Sequence, residues 1–324
     1  MSRSRPAPRR FWIPATVVAL LLVAAAAVWM LTLRSDPLPE FDQDRAYTLV
    51  RQQTDFGPRV PGTAAHDSAH VWLADWFGAY ADRVVGQNVS LPDPRDTTRE
   101  FRGTNIIASW RPASRRRVML AAHWDSRPVA DNDPDPSRHI EPVLGANDGA
   151  SGVAVLMEVA RLLKAHPLEP GLGVDIILFD LEDLGSVGEG IPDDQRIPFA
   201  IGSELFVQYN PSYRPEWGVL LDMVGDPGLS IPKEGYSVQY APEVVDRVWS
   251  AARRVGADAF KDEVGYAIQD DHVPFLRVGI PVVDLIHTPF PDTWHTTSDT
   301  PDHVSPESLG QVGRTLVALL WGQD

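Results

Sequence analysis

The stretch that most constrains this chain is Ile176-Ile177-Leu178-Phe179-Asp180-Leu181-Glu182-Asp183. An apolar run of strand-forming residues stops abruptly and delivers acidic side chains at its end. In an α/β protein, ligands bind in the crevice outside the carboxyl ends of the strands. Side chains alternate in direction along a strand, but two adjacent acids where a strand opens into a loop can both reach one site. Acids of this kind also mark the plain solvated start of a loop. The weight of the stretch therefore rests on what falls at the other strand ends.

Those other elements alternate regularly. Helix-like apolar spacing covers residues 42–55 and 64–80, which are separated by the firm break Phe56-Gly57-Pro58-Arg59-Val60-Pro61-Gly62. Further helices are expected over 153–165, 203–209, 242–255, 271–278 and 305–321, the last with Ser305 as N-cap and Pro306 at the first helical position. Strands are expected over 84–91, 104–110, 118–122, 174–179, 217–224, 257–264 and 281–286. The alternation predicts a single-domain α/β/α sandwich with a central, mostly parallel, twisted sheet. At 324 residues and 44% hydrophobic content the chain can bury one large core, and no internal repeat is visible.

Residues 1–10 form a basic tail, and 11–33 are apolar enough to cross a bilayer as a helix. With Arg3, Arg5, Arg9 and Arg10 on the near side, the positive-inside rule keeps the tail cytoplasmic. A linker over 34–41 then leads to a catalytic domain over 42–324, placed on the periplasmic side of an inner membrane. A cleaved signal peptide is the rival, because residues 24–27 are small, but the apolar run continues past them. Five of the 29 Lys and Arg fall in the first 34 residues, which hold no acid. The remainder carries 24 basic against 44 acidic residues, a balance of -20, which argues against nucleic acid as a partner. The chain has no cysteine, so disulfides, cysteine lipidation and thiolate metal ligands are excluded.

Acids and histidines recur just after the predicted buried strands: His123 and Asp125, Asp148, Glu182 and Asp183, Asp222, Asp270, Asp271 and His272, and His295. Two carboxylates and one imidazole leave an open position on a Zn²⁺ ion, the pattern of a catalytic site. Each residue also has an ordinary explanation. Asp148 fits a turn or a helix N-cap, Asp222 a strand end, His295 a backbone-bonded loop histidine and His123 a satisfied core histidine.

The order His123-x-Asp125, Asn147-Asp148-Gly149-Ala150-Ser151-Gly152, Glu182-Asp183, Leu221-Asp222-Met223-Val224-Gly225 and His295-Thr296-Thr297-Ser298-Asp299-Thr300 resembles the zinc-dependent aminopeptidase superfamily. Within it, three stretches are similar to glutaminyl-peptide cyclotransferases, the glutaminyl cyclases. They are Gln269-Asp270-Asp271-His272-Val273-Pro274-Phe275-Leu276, then Pro289-Phe290-Pro291-Asp292-Thr293-Trp294-His295, and Leu220-Leu221-Asp222. The similarity runs from about Asp42 to the C-terminus. It implies one zinc per chain held by Asp148, Asp183 and His295, with Glu182 as general acid/base and Asp222 and Asp270 as an acid network beside it. Trp294, Phe290 and Gln269 would form the substrate pocket. The implied reaction converts the N-terminal glutamine of peptides or proteins to pyroglutamate with release of ammonia.

The aminopeptidases of the superfamily use a second metal, for which His123 and Asp222 would be the added ligands, and a membrane-anchored di-zinc aminopeptidase is the alternative. Asp270, where aminopeptidases usually have Ser, and Trp294, where they more often have Tyr, favour the cyclase. A binding domain that kept the fold and lost the chemistry is a third reading, but every ligand position holds a competent residue. The chain departs from the animal cyclases in three ways. Residue 183 is Asp rather than Glu, the cysteine pair is absent, and the 184–198 loop has no Trp to wall the pocket, leaving Trp124 or Trp217 to replace it.

Overall fold

Val118-Met119-Leu120-Ala121-Ala122 is buried at every position, as expected of a strand covered on both faces rather than one. The computed structural model describes residues 37–188 and 190–322, and Pro39–Gly322 forms one compact unit. Along the chain the elements are α1 (Gln43–Thr54), α2 (Ala64–Gly78), β1 (Arg83–Asp93), β2 (Asp96–Trp110), β3 (Arg116–His123), α3 (Ala150–Ala165), β4 (Leu172–Phe179) and α4 (Ile201–Tyr209). There follow β5 (Trp217–Asp222), β6 (Ile231–Lys233), α5 (Gly235–Tyr240), α6 (Pro242–Arg254), β7 (Phe260–Val264), α7 (Val273–Arg277), β8 (Val282–Ile286) and α8 (Pro306–Trp321).

Six strands form one sheet in the order β1-β2-β4-β3-β5-β8. The last four are mutually parallel, whereas β1 and β2 form an antiparallel hairpin on the β4 edge. Alternate residues of β3 serve opposite faces. Val118, Leu120 and Ala122 join a large cluster with Val153 and Leu156 of α3 and Leu309 and Leu316 of α8. Met119 and Ala121 pack with Phe206 of α4 and Phe275 of α7. The expected α/β/α sandwich is thus present. Register brings the carboxyl ends of the central strands level: His123 pairs with Phe179, and Ala121 with Leu220, so Asp222 lies beside His123.

Some elements differ from expectation. The strand expected over 217–224 stops at Asp222, because Met223 turns the chain with a left-handed φ of 50°. The strand expected over 257–264 begins only at Phe260. The hairpin is longer than its apolar core suggests, since β-pairing continues into a polar tip. Neither β6 nor α5 was anticipated; three and six residues are too few for a periodic signal. The placement of the chain as a single-pass inner-membrane protein is also corrected. Among the described residues no helix is long and apolar enough to cross a membrane. Residues 11–33, on which that placement rested, lie outside them.

Candidate active site

Each predicted ligand leaves the sheet edge on a loop whose backbone is held by a buried carboxylate. After β3, Asp125 accepts the backbone N–H groups of Glu182 and Asp183, both at 3.2 Å. Asp299 does the same for the loop before α3, accepting from Asn147 at 2.7 Å and Asp148 at 3.0 Å. Asp148 is not the helix cap; that position is Gly149, at φ 97°, where a Cβ would meet the Asp125 carbonyl oxygen at 2.7 Å. The next glycine of the motif, Gly152, lets α3 lie against β5, because a Cβ there would meet the Leu221 carbonyl oxygen at 2.6 Å. Leu181 (φ 60°), Met223 (φ 50°) and His295 (φ 55°) are left-handed non-glycine residues at or beside site residues. Strain of this sort persists where surrounding structure dictates it, commonly at functional sites.

The side chains converge in two overlapping groups. Asp148, Asp183 and His295 have ligand atoms within 4.8 Å of one another, and all three are buried. His295 Nε2 lies 3.3 Å from Asp183 Oδ1 and 3.8 Å from Asp148 Oδ2. The second group joins the same Asp148 to His123 and Asp222, with His123 Nε2 3.0 Å from Asp148 Oδ1 and 3.2 Å from Asp222 Oδ1. Glu182 is buried next to them, its carboxylate 4.0 Å from His123 Nδ1.

A divalent cation fits the first group. Its donors are two carboxylates and one imidazole, a set that suits zinc, and Asp183 Oδ2 is buried with no hydrogen-bond partner. Behind it, Arg127 donates to Asp183 Oδ1 at 3.2 Å and to the carbonyls of Asp183 and Gly185, both at 3.1 Å. The same guanidinium pairs with Asp131 at 2.6 Å, and Asp131 Oδ1 lies 3.5 Å from His295 Nδ1. Two of the three predicted ligands are therefore linked through one arginine–aspartate pair.

Electrostatics divide the acids. Burial opposes charge on His123, but Asp125, Asp148 and Asp222 outweigh it and raise its pKa well above the ordinary value. For His295 burial is likewise overcome, chiefly by Asp183 and Asp131, and its pKa rises to about 9. The Glu182 carboxyl is pushed well up by burial, and the charge of Asp270 adds to the shift against the opposing His123. Burial, with the nearby charge of Asp222, raises Asp270 to about 7. These are the neighbours expected of a carboxyl that exchanges protons near neutral pH.

Of the predicted pocket residues, Trp294 and Phe290 are half-buried with ring centroids 4.4 Å apart, and Trp294 leans on the His295 ring at 3.9 Å. Gln269 is exposed, its amide oxygen accepting from Arg277 at 3.4 Å. Neither proposed replacement for the missing loop Trp walls the pocket. Trp124 is fully buried, stacked on His66 at 4.3 Å. Trp217 opens β5, at the opposite end of the strand from Asp222.

Several neighbours were not read from the sequence: Asp131 and Arg127, the clamp role of Asp299, and a third buried group formed by Asp270, His272 and Asp284. His272 Nε2 meets Glu234 at 3.1 Å there. One signal existed, since Asp284 interrupts the otherwise apolar Val282–Ile286 strand.

The sheet and its acid-and-imidazole strand ends define an α/β scaffold of the metal-dependent aminopeptidase type. The chain belongs to peptidase family M28, whose family model matches residues 105–320. The resemblance to glutaminyl cyclases is borne out. A glutaminyl cyclase of Bacteroides thetaiotaomicron, solved with N-acetylhistamine, is 40% identical, with a TM-score of 0.83 over 89% of this chain and 100% of that one. A leucine aminopeptidase precursor of the same organism is also 40% identical, with a TM-score of 0.82 over 89% and 99%. The glutaminyl-peptide cyclotransferase of Bos taurus is 27% identical over 262 residues, 73% of this chain and 70% of its own length.

Proposed function

We propose that this chain is a glutaminyl cyclase that converts the N-terminal glutamine of peptides or proteins to pyroglutamate, releasing ammonia, with one zinc held by Asp148, Asp183 and His295. The observation that carries the reading is Glu182: a buried carboxyl of raised pKa beside the ligand group, with the second acid Asp270 next to it. Bound zinc would supply Lewis-acid polarisation of the γ-carboxamide oxygen.

The remaining work falls to side chains. The nucleophile is the substrate's own α-amine, which attacks the carbonyl carbon of the side-chain carboxamide (Cδ) and closes a five-membered ring, so the chain needs none of its own. Glu182 accepts a proton from that amine and returns it to the departing nitrogen, which leaves as ammonia. A carboxyl whose pKa burial has raised suits both halves of this exchange. Asp222 and Asp270, each of raised pKa, share a proton and hold the leaving nitrogen by hydrogen bonds. Trp294 and Phe290 restrict the glutamine side chain to rotamers near the cyclising one, an orientation effect.

One specific feature favours a second reading. The His123, Asp148 and Asp222 group shares Asp148 with the first, as in a two-metal aminopeptidase. The test is to incubate the protein with Gln-initiated and Leu-initiated peptides, follow both by mass spectrometry, and measure bound metal. Ammonia loss from the first alone, with about one zinc per chain, supports the cyclase. Free leucine with about two metals replaces it with the aminopeptidase.

A further inference from the structure

The tip of the β1–β2 hairpin reads Asp93-Pro94-Arg95-Asp96-Thr97-Thr98-Arg99-Glu100-Phe101-Arg102, and its arginines overlook a cavity of about 640 Å³. At its inner end the cavity reaches Arg127 and Asp131, the pair that ties Asp183 to His295. Leu184 and Gly185, directly after Asp183, form part of its wall. It therefore begins beside the proposed metal ligands and opens outward between the hairpin and the 184–198 loop. That loop is the one that lacks a Trp, and small residues, Gly185 and Ser186, stand along the cavity.

Its charge runs against that of the whole molecule. Arg95, Arg99, Arg102 and Arg127 line it against only Glu100 and Asp131, in a chain of net charge -15. Arg127 is committed to Asp131 and Asp183, and Arg95 to Asp93 at 2.9 Å. Arg102 pairs with Glu100, and its side chain is still 78% exposed. Arg99 is exposed and makes no ion pair among the described residues. The two arginines continue outward into an adjoining hollow of about 550 Å³ lined also by Thr97, Thr98 and Glu100. Arg99 and the exposed Arg102 thus share a cavity with the Arg127–Asp131 pair that backs the proposed metal ligands.

We propose that this hollow is a subsite for acidic residues of the substrate that follow the N-terminal glutamine, read by Arg99 and Arg102. The proposal rests on the cyclase reading of the site. A free polyanion is repelled by the acidic body, but a short acidic segment tethered at the catalytic centre is held at high local concentration beside these guanidiniums. Arginine suits the task, because its planar fork meets a carboxylate bidentately. The contacts are exposed, so the effect is a preference rather than a requirement.

The experiment uses the full chain and three peptides that share Gln-Ala at the start and carry Glu-Glu, Ala-Ala or Lys-Lys next. For the acidic peptide kcat/KM exceeds that for the basic one by about five- to tenfold at low salt, mostly through KM. In about 1 M salt, where the screening length falls to about 3 Å, the two converge. Arg99→Glu combined with Arg102→Glu reverses the order and leaves the Ala-Ala peptide within about twofold of wild type. Equal values for the charged peptides at low salt, or an order untouched by the double reversal, overturns the subsite. A second measurement is independent of turnover: binding of a fluorescent pyroglutamyl-Ala-Glu-Glu peptide. If no glutamine peptide is cyclised, the cyclase reading fails. Binding weakened several-fold by the double variant still sustains the subsite, and binding indifferent to it removes the subsite as well.

Discussion

The two halves of the acid centre are built differently. On the side of Asp148, Asp183 and His295, each element has fixed support: Asp299 and Asp125 hold the backbone N–H groups, Arg127 holds Asp183, and Asp131 backs His295. On the side of Asp270, Asp271, His272 and Asp284 the support is sparser, although His272 Nε2 meets Glu234 at 3.1 Å. Asp270 Oδ2, His272 Nδ1 and both carboxyl oxygens of Asp284 are buried with no hydrogen-bond partner, and among the described residues no Lys or Arg pairs with them. Burial, then the charge of Asp270, pushes Asp284 well above the ordinary carboxylate range. The contrast is physical. Fixed charges and N–H dipoles preorganise a place for a cation, while buried acids without counter-charges stay neutral and keep protons. One half is suited to hold a metal, the other to move protons.

Breaking the metal half has the largest effect. His295→Ala removes one of three proposed ligands, so zinc content measured after dialysis falls to background and cyclisation goes with it. Full zinc occupancy in that variant would refute the ligand assignment. Glu182→Gln tests the other half: zinc stays bound while turnover falls by about 10²–10⁴-fold, the range for loss of a general acid–base group. Unchanged turnover takes Glu182 out of the mechanism.

The same contrast explains what was legible in the sequence. Strands and their acidic ends could be read because an apolar run that stops at an acid is a local signal, as at Ile176–Asp183. The supports were not legible, because each joins residues far apart in the chain. Asp299 is 151 positions from Asp148, and Asp125 is 58 from Asp183. Asp299 was visible as part of a late motif, but no spacing says that its carboxylate grips the backbone of another loop. Glu234 was hidden for a second reason: it caps α5, a helix of six residues that the sequence pattern does not announce.

Glu234 also gives a pH test of the proton-holding half. Burial would raise its pKa, but the His272 ring and the N–H groups of Ile268 and Tyr236 prevail and hold it at about 2, below the ordinary 4.5. A depressed folded pKa contributes stability above the ordinary value that is lost as pH falls toward the folded one. The contribution is on the order of 3 kcal/mol, present above about pH 4.5 and lost between there and about pH 2. Thermal unfolding followed across that window should therefore show a steeper acid loss for wild type than for Glu234→Gln. Parallel curves would mean that the His272–Glu234 contact does not stabilise this half.

The smallest effect sharpens the comparison most. Asp299→Asn keeps the size of the side chain but replaces one carboxylate oxygen, which accepts an N–H, with an amide that donates. Either Asn147 N–H or Asp148 N–H then faces a donor, and the loop carrying Asp148 loses its grip. Supports of this kind are worth about 10–100-fold in metal affinity. The expected result is zinc binding weakened by about that factor in a chelator competition, with turnover restored when zinc is added in excess. Recovery with zinc assigns Asp299 to the preorganised half, because a defect in proton transfer would persist at saturating metal. A variant with wild-type zinc affinity and low turnover would place Asp299 with the proton-handling acids instead, and the division between the two halves would fall.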